Sequence, residues 1–373
     1  MTGLGPRKVV GEGARHGARS LAQLRPELLA WFDVAARELP WRKSRDPYAI
    51  WVSEVMLQQT QVSVVRPYWR AFLERFPDVN ALAEAPQEEV LRMWKGLGYY
   101  GRARNLHRAA QVIVEAHGGR LPASHAALKA LPGFGPYTAG AVASIAFDLP
   151  APIVDGNVAR VFSRLFGIEG LPGDRAREKQ LWSLAAALVE GPRPGDLNQS
   201  LMELGATVCR PESPGCPTCP VRRHCVALAE DRVASLPPPK VRRAPTPLAL
   251  ASVVWVREGR LLLARREASG LFGGLWELPS VERVGEAEAG EVLRSAFGKT
   301  LVVGEALGMV RRTLTHRALT IELFPVIRGR VPTGTPPGVA ELGWFSPEDA
   351  LALGMSTAMA KALELAIRWL RTS

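Results

Sequence analysis

A chain of 373 residues is too long for one ordinary core and implies two or three domains. Apolar residues make up 47% of it, enough to pack those cores, and no apolar run reaches the roughly 18 residues of a membrane helix. The formal net charge of +11 favours a polyanionic partner.

The first twenty residues, "MTGLGPRKVVGEGARHGARS", are basic and Gly-rich with no apolar core. They read as a flexible basic arm, not as a signal peptide. Residues 21–230 read as helical. "LRPELLAWFDVAARELP" carries apolar residues at helical spacing and stops at Pro40. "PYAIWVSEVMLQQTQVSVVRPYWRAFLERF", "PQEEVLRMWKGL", "RARNLHRAAQVIVEAHG", "SHAALKALPG", "YTAGAVASIAF", "NVARVFSRLFG" and "REKQLWSLAAALVE" follow, separated by short Gly/Pro breaks. Residues 231–247 include "SLPPPKVRRAPTP" and read as a Pro-rich linker. Beyond it, residues 248–373 alternate strand-like runs ("LALASVVWV", "RLLLARR", "LWELPSV", "LTIELFPVIRG", "ELGWFS") with two helical stretches, "EAEAGEVLRSAFG" and "SPEDALALGMSTAMAKALELAIRWLR". The chain is thus expected to be multidomain: an all-α domain followed by an α+β domain.

All four cysteines are clustered, as Cys209-x6-Cys216-x2-Cys219-x5-Cys225. Clustering argues for a metal site in a reducing cytoplasm over a secreted disulfide framework. Four thiolates in so short a segment can close around zinc or around a four-iron cluster, and chemistry alone leaves both open. Arg210, Arg222 and Arg223 sit in the same loop and suit phosphate contact.

Two carboxylates stand out. Asp155 in "VDGNV" opens a helix, where a capping side chain accepts backbone N–H bonds that favour its ionised form. Glu54 lies among Trp51, Val52, Val55 and Met56, and burial there should raise its pKa. At helical spacing Glu54 should share a face with Gln58 and nearly with Gln61. One acid held protonated and one held ionised is the division between a general acid and a charge stabiliser. Between them lies "LPGFGPYTAG" (131–140), whose glycines permit positive φ and close backbone approach at a turn between helices.

The uneven cysteine loop and the LPGxGxxTA turn resemble those of the endonuclease III superfamily of DNA glycosylases. Within it, "LPWR" (39–42), "SEVMLQQTQV" (53–62), "GLGYYGRARNL" (96–106), "PGFGPYTAGAVASIAF" (132–147), "VDGNVARV" (154–161) and "NQSLMELGATVC" (198–209) resemble the MutY-type adenine DNA glycosylases. The resemblance covers about residues 21–373. It implies a helix-hairpin-helix at about 126–146, with Gly133 and Gly135 baring the backbone to a DNA phosphate. It also implies one [4Fe–4S] cluster on Cys209, Cys216, Cys219 and Cys225.

The activity implied is hydrolysis of the N-glycosidic bond of adenine opposite 8-oxoguanine or guanine in double-stranded DNA, with the adenine flipped out of the duplex. Glu54 would be the acid and Asp155 the stabiliser of the sugar cation, with Tyr137 and Asn157 positioning them. Arg37, Trp41, Arg42 and Gln199 would line the adenine pocket. Gln59, Thr60, Leu97 and Tyr99 would face the opposite base, Tyr99 as a wedge. Tyr137 stands where bifunctional relatives carry a lysine nucleophile, and Ala159 where some adenine glycosylases carry another, so a monofunctional enzyme without strand cleavage is expected. The alternative is an endonuclease III-like pyrimidine glycosylase with lyase activity.

"GLFGGLWELPSV" resembles the Nudix-like C-terminal domain of the same family, yet no GX5EX7REUXEEXGU helix is present, so no hydrolase activity is expected there. Leu314, Thr315 and His316 align with a Phe-Ser-His loop that senses 8-oxoguanine, departing at two of three positions. Thr315 keeps a hydroxyl, and Leu314 carries no aromatic ring. A monomer acting at the bacterial nucleoid in the cytoplasm is expected.

Overall fold

The computed structural model describes residues 12–239, 244–285, 287–332 and 334–372. The helical part comprises α1 (Glu12–Ala35), α2 (Pro47–Leu57), α3 (Val62–Arg75), α4 (Val79–Glu84), α5 (Gln87–Met93), α6 (Gly101–His117), α7 (His125–Ala130), α8 (Pro136–Phe147), α9 (Gly156–Leu165), α10 (Arg175–Val189), α11 (Pro194–Thr207) and α12 (Val226–Ala229). Among the described residues no helix is long and apolar enough to cross a membrane.

Three sequence expectations change. The arm expected over residues 1–20 is helical from Glu12 onward, and residues 1–11 lie outside the described residues. The long helix expected after Pro47 is two helices. Its break falls at Gln58 to Gln61, where Gln59 takes a left-handed φ of 57°. Gln58 and Gln61 therefore sit in a loop and not on the helical face of Glu54. The terminal helix is likewise split, into α14 (Pro347–Ala352) and α15 (Thr357–Thr372) after α13 (Ala289–Phe297). Leu353 ends α14 in an extended conformation.

The chain falls into two units that change over within residues 231–247, and the departure from the expected division is that residues 70–111 group with the C-terminal part. One takes Met1–Trp69 with Val112–Val241, the other Arg70–Gln111 with Arg242–Ser373. In the first, a core of Leu24, Leu28, Val158, Phe162, Leu181, Leu197, Leu201 and Leu204 joins α1, α9, α10 and α11. Leu236, inside the expected linker, is buried there, and its carbonyl accepts from Arg164 Nε at 2.8 Å.

In the second unit, β1 (Thr246–Val254), β2 (Val256–Arg257), β3 (Arg260–Arg266), β4 (Trp276–Glu277), β5 (Ser280–Arg283), β6 (Val302–Val303), β7 (Gly308–Thr313), β8 (Arg317–Arg328) and β9 (Val339–Phe345) form two sheets. One has the order β5-β1-β8-β6, with β7 also paired to β8. Its central pair, β1 and β8, is parallel over nine residues from Thr246↔Arg317 to Val254↔Pro325. The other sheet has the order β2-β3-β4, with β9 on the far side of β3. Residues 70–111 belong with these sheets because their polar groups are satisfied there. Tyr100 donates to the Met355 carbonyl at 3.0 Å, and Trp276 Nε1 donates to Glu88 Oε1 at 3.1 Å.

Candidate active site

Nine consecutive residues of α2, Tyr48 to Met56, are buried, so the helix is enclosed on every side. Glu54 is carried in with them and is only 5% exposed. The hairpin of α7 and α8 is held against this helix by Phe134, which stacks on Trp51 with ring centroids 5.3 Å apart. That contact sets Tyr137, in the first turn of α8, over Glu54. Its hydroxyl donates to Glu54 Oε2 at 2.7 Å and lies 3.1 Å from Met202 Sδ.

The turn itself divides the roles of its glycines. Gly133 has a φ of 76°, the left-handed conformation anticipated for it. Gly135 does not: its φ is −75°, and a Cβ added there would meet nothing within 4 Å. No internal constraint of this unit requires a glycine at 135.

Two glycines instead fix the acid pair. A Cβ on Gly140 would come within 2.1 Å of the Pro152 carbonyl oxygen, so α8 can run against the strand-like segment leading into Asp155. A Cβ on Gly205 would come within 2.6 Å of Asn157 Cβ, so α11 can cross the start of α9. Asp155 is the N-cap of α9. Its Oδ1 accepts from the Val158 amide at 2.7 Å and its Oδ2 from Asn157 Nδ2 at 3.1 Å.

Electrostatics separates the two carboxyls less sharply than capping alone implies. Burial pushes Glu54 up to about 7. The Tyr137 hydrogen bond lowers it, the Asp155 charge raises it and Arg42 lowers it. Asp155 is also raised, because burial outweighs the bonds from Val158 and Asn157 that favour its ionised form. What distinguishes the two is their hydrogen bonding: Asp155 accepts from two partners, Val158 and Asn157, whereas Glu54 accepts from Tyr137. Burial, followed by the charges of Glu54 and Asp155, raises Tyr137 well above the ordinary phenol value, so it remains a neutral donor.

A third carboxylate, unanticipated from sequence, organises the rest. Glu203 on α11 is fully buried. Its Oε1 accepts from Arg37 Nε at 2.6 Å, and its Oε2 accepts from Arg42 Nη2 and Arg37 Nη2, each at 2.9 Å. Burial by itself would raise its pKa, but the two guanidinium groups hold it below the ordinary value. Arg42 Nε also donates to Gln199 Oε1 at 3.1 Å. The available signal was the spacing of Gln199 and Glu203, four residues apart on one face of a helix in "NQSLMELG".

One pocket of about 720 Å3 is lined by Glu54, Tyr137, Asp155 and Asn157, by Arg37, Trp41, Arg42 and Gln199, and by Gln59, Thr60, Gly133 and Gly135, with Met202 and Glu203 added. Every expected site residue of this unit except the cysteines therefore faces one space. In the other unit, Tyr99, Leu314, Thr315 and His316 line a separate pocket of about 740 Å3, where the Tyr99 and Thr315 hydroxyls are hydrogen-bonded to each other. Leu97 does not join them. Its side chain is buried.

The four cysteines form no disulfide and line one small cavity with Arg164 and Val208. Among the described residues no group of three or more His, Cys, Asp or Glu is gathered as a metal ion requires. The chemistry of the donor set nevertheless fits an electropositive group. Burial and then the charges of Cys209, Cys225 and Cys216 drive the Cys219 thiol up to about 11, so four thiolates can coexist only around positive charge. Arg164 clasps the loop, donating to the carbonyls of Arg210 at 2.7 Å and Pro211 at 3.1 Å. Arg160 donates to the Cys209 carbonyl and to Asn157 Oδ1, both at 2.8 Å, joining the loop to the acid pair.

A helical hairpin set over a buried acid pair and a two-sheet unit make up a two-part protein. Residues 52–187 match the family model of the HhH-GPD superfamily base excision DNA repair proteins, and residues 251–365 match that of the NUDIX domain. The solved structure of a thermostable thymine-DNA glycosylase aligns with a TM-score of 0.52 at 32% identity, covering 57% of this chain and 98% of that one. An adenine DNA glycosylase of Homo sapiens is 38% identical across 94% of this chain and 76% of its own length. One of Mus musculus is 37% identical across 91% and 77%. The chain belongs to the adenine DNA glycosylase family.

Proposed function

We propose that this protein hydrolyses the N-glycosidic bond of adenine mispaired with 8-oxoguanine or guanine in double-stranded DNA, using water and without cutting the strand. The observation that carries the reading is the Tyr137 hydroxyl 2.7 Å from a buried Glu54 whose pKa is near 7, in one pocket with Asp155. A carboxyl poised near neutral pH can give its proton to the five-membered ring of an extruded adenine. As the bond to the sugar breaks, positive charge develops on the sugar, and the Asp155 carboxylate stabilises it. Asn157 holds Asp155 in place, and Tyr137 orients Glu54. A phenol held neutral cannot form the Schiff base of a strand-cutting relative, and Ala159 supplies no amine either.

Arg37, Arg42 and Gln199, organised by Glu203, are assigned to the adenine edge, with Trp41 as a wall. Gln59, Thr60, Tyr99, Leu314, Thr315 and His316 are assigned to the opposite strand. The turn at Gly133 and Gly135 is assigned to a phosphate at the start of α8. The two-sheet unit serves recognition of the opposite base, and residues 231–247 connect the parts. Cys209, Cys216, Cys219 and Cys225 would hold one [4Fe–4S] cluster, whose iron–thiolate bonds would brace the loop. The protein is taken to work as a monomer at the bacterial nucleoid.

Single-turnover base release tests this on duplexes carrying adenine opposite 8-oxoguanine, adenine opposite guanine, and thymine glycol opposite adenine. The first should react fastest, with strand breaks only after hot alkali. No adenine release by iron-loaded protein would refute the activity, and strand breaks without alkali would favour the lyase alternative. Iron analysis should return about four atoms per chain, with absorbance near about 400 nm.

A further inference from the structure

The loop between β3 and β4 is built in a way that packing alone does not require. Gly270 has a φ of 81°, Phe272 of 59° and Gly274 of 74°. The two glycines adopt this region freely, but a bulky aromatic rarely does, and the cost must be offset by its surroundings. Those surroundings are specific. Phe272 packs, as Leu314 does, against the core of the two-sheet unit. The Gly273 carbonyl accepts from Arg104 Nη1 at 2.5 Å, and the Gly274 amide donates to the Glu267 carbonyl at 3.0 Å. A Cβ on Gly273 would come within 2.4 Å of the Ala268 carbonyl oxygen, so the loop has no room to relax there.

This strained clamp turns Phe272 inward and leaves Leu271 outward, 43% exposed. Tyr99 is 45% exposed, and both line the pocket shared with Thr315 and His316. Exposed Arg312 and Arg317 line it too, supplying positive charge suited to a phosphate backbone. Single exposed leucines are common and need no explanation, but one held out by strain beside an exposed tyrosine in a cationic pocket is not a chance exposure. Leu314, the position where the family resemblance places an aromatic ring, is half-buried on the core.

We infer that Leu271 is a second apolar contact, beside Tyr99, on the DNA nucleotide opposite the adenine, and so a specificity-determining residue. The inference rests on the opposite-strand assignment proposed above. Apolar side chains that press on a base step act only where the duplex can be opened, so such a contact favours a mispair over a paired duplex.

Equilibrium binding by the full chain carrying Glu54→Gln tests it, on a duplex with adenine opposite 8-oxoguanine and on a fully paired duplex of the same length. Leu271→Ala should lower the preference for the mispair about fivefold, the worth of a half-exposed leucine's extra carbons. Leu271→Phe should retain the preference, and both should keep the thermal midpoint of the parent. If the parent prefers the mispair and Leu271→Ala leaves the ratio unchanged, or weakens both duplexes equally, the inference fails alone. If the parent shows no preference, the opposite-strand assignment fails and takes the inference with it.

Discussion

Replacing Glu54 by Gln should make the DNA-free protein more stable at pH 8 while abolishing adenine release. The carboxyl has an ordinary value of 4.5 and stands at about 7 in the folded chain, chiefly through burial. Below 4.5 it is protonated in both folded and unfolded chains and contributes no pH dependence. Between 4.5 and 7 the unfolded chain ionises while the folded chain keeps its proton, so the folded state binds more protons and loses stability as pH rises. At about 1.36 kcal/mol per pH unit, the loss is about 3 kcal/mol once the pH exceeds 7. Glutamine keeps the shape, can accept the Tyr137 hydroxyl through its carbonyl, and has no charge to desolvate. Urea unfolding of both proteins from pH 4 to pH 8, followed by intrinsic tryptophan fluorescence, reads the difference directly. The curves should coincide near pH 4 and part by about 3 kcal/mol at pH 8, with the variant above. Parallel curves, or a variant less stable at pH 8, would show that the folded chain does not hold Glu54 protonated, and its assignment as acid would fall with it.

The pH profile of adenine release should decline as pH rises through about 7, since only protonated Glu54 can act. Tyr137→Phe removes the 2.7 Å hydrogen bond that favours the carboxylate, and should move that decline upward by about one pH unit, the worth of a hydrogen bond to a charged group; an unmoved limb would deny the coupling. Asp155→Asn should keep the helix cap, since asparagine caps as well as aspartate, and stay within about 1 kcal/mol of wild-type stability. Its single-turnover release should nonetheless fall by about a hundredfold or more, and retained activity would reduce Asp155 to a cap. Glu203→Ala leaves Arg42, whose side chain is 15% exposed, without its carboxylate, whereas Arg37 at 39% can turn to water. Denaturant unfolding should therefore show a loss of about 3 kcal/mol, set by the single buried partner, while Glu203→Gln should lose less.

The elements of the chain were legible wherever local signals sufficed. Helices with one apolar stripe, strands bounded by Gly and Pro, the Asp155 cap and the cysteine cluster are all properties of a few neighbouring residues. So was the burial of Glu54, because Trp51, Val52, Val55 and Met56 surround it on α2. The family motifs carried the twelve expected residues that line the first pocket. Positive φ at Gln59 and Tyr99 was not legible, since neither residue type announces it, and at Gln59 it broke the long helix.

What remained belonged to tertiary structure because it depends on charges and backbones meeting from distant parts of the chain. Glu203 reads as an ordinary helical glutamate until Arg37 and Arg42 arrive from more than 150 residues away. Gly205 and Gly140 have meaning only against Asn157 and the Pro152 carbonyl. Capping argued for a fully ionised Asp155, a local effect, and burial by the assembled unit reversed the net direction. The division of the chain likewise departed from sequence order at residues 70–111, which satisfy polar groups on the two-sheet unit. Sequence determined which groups were present and which local geometry each preferred. Only the folded chain decided how much water each retained, and desolvation is what sets the protonation of the pair.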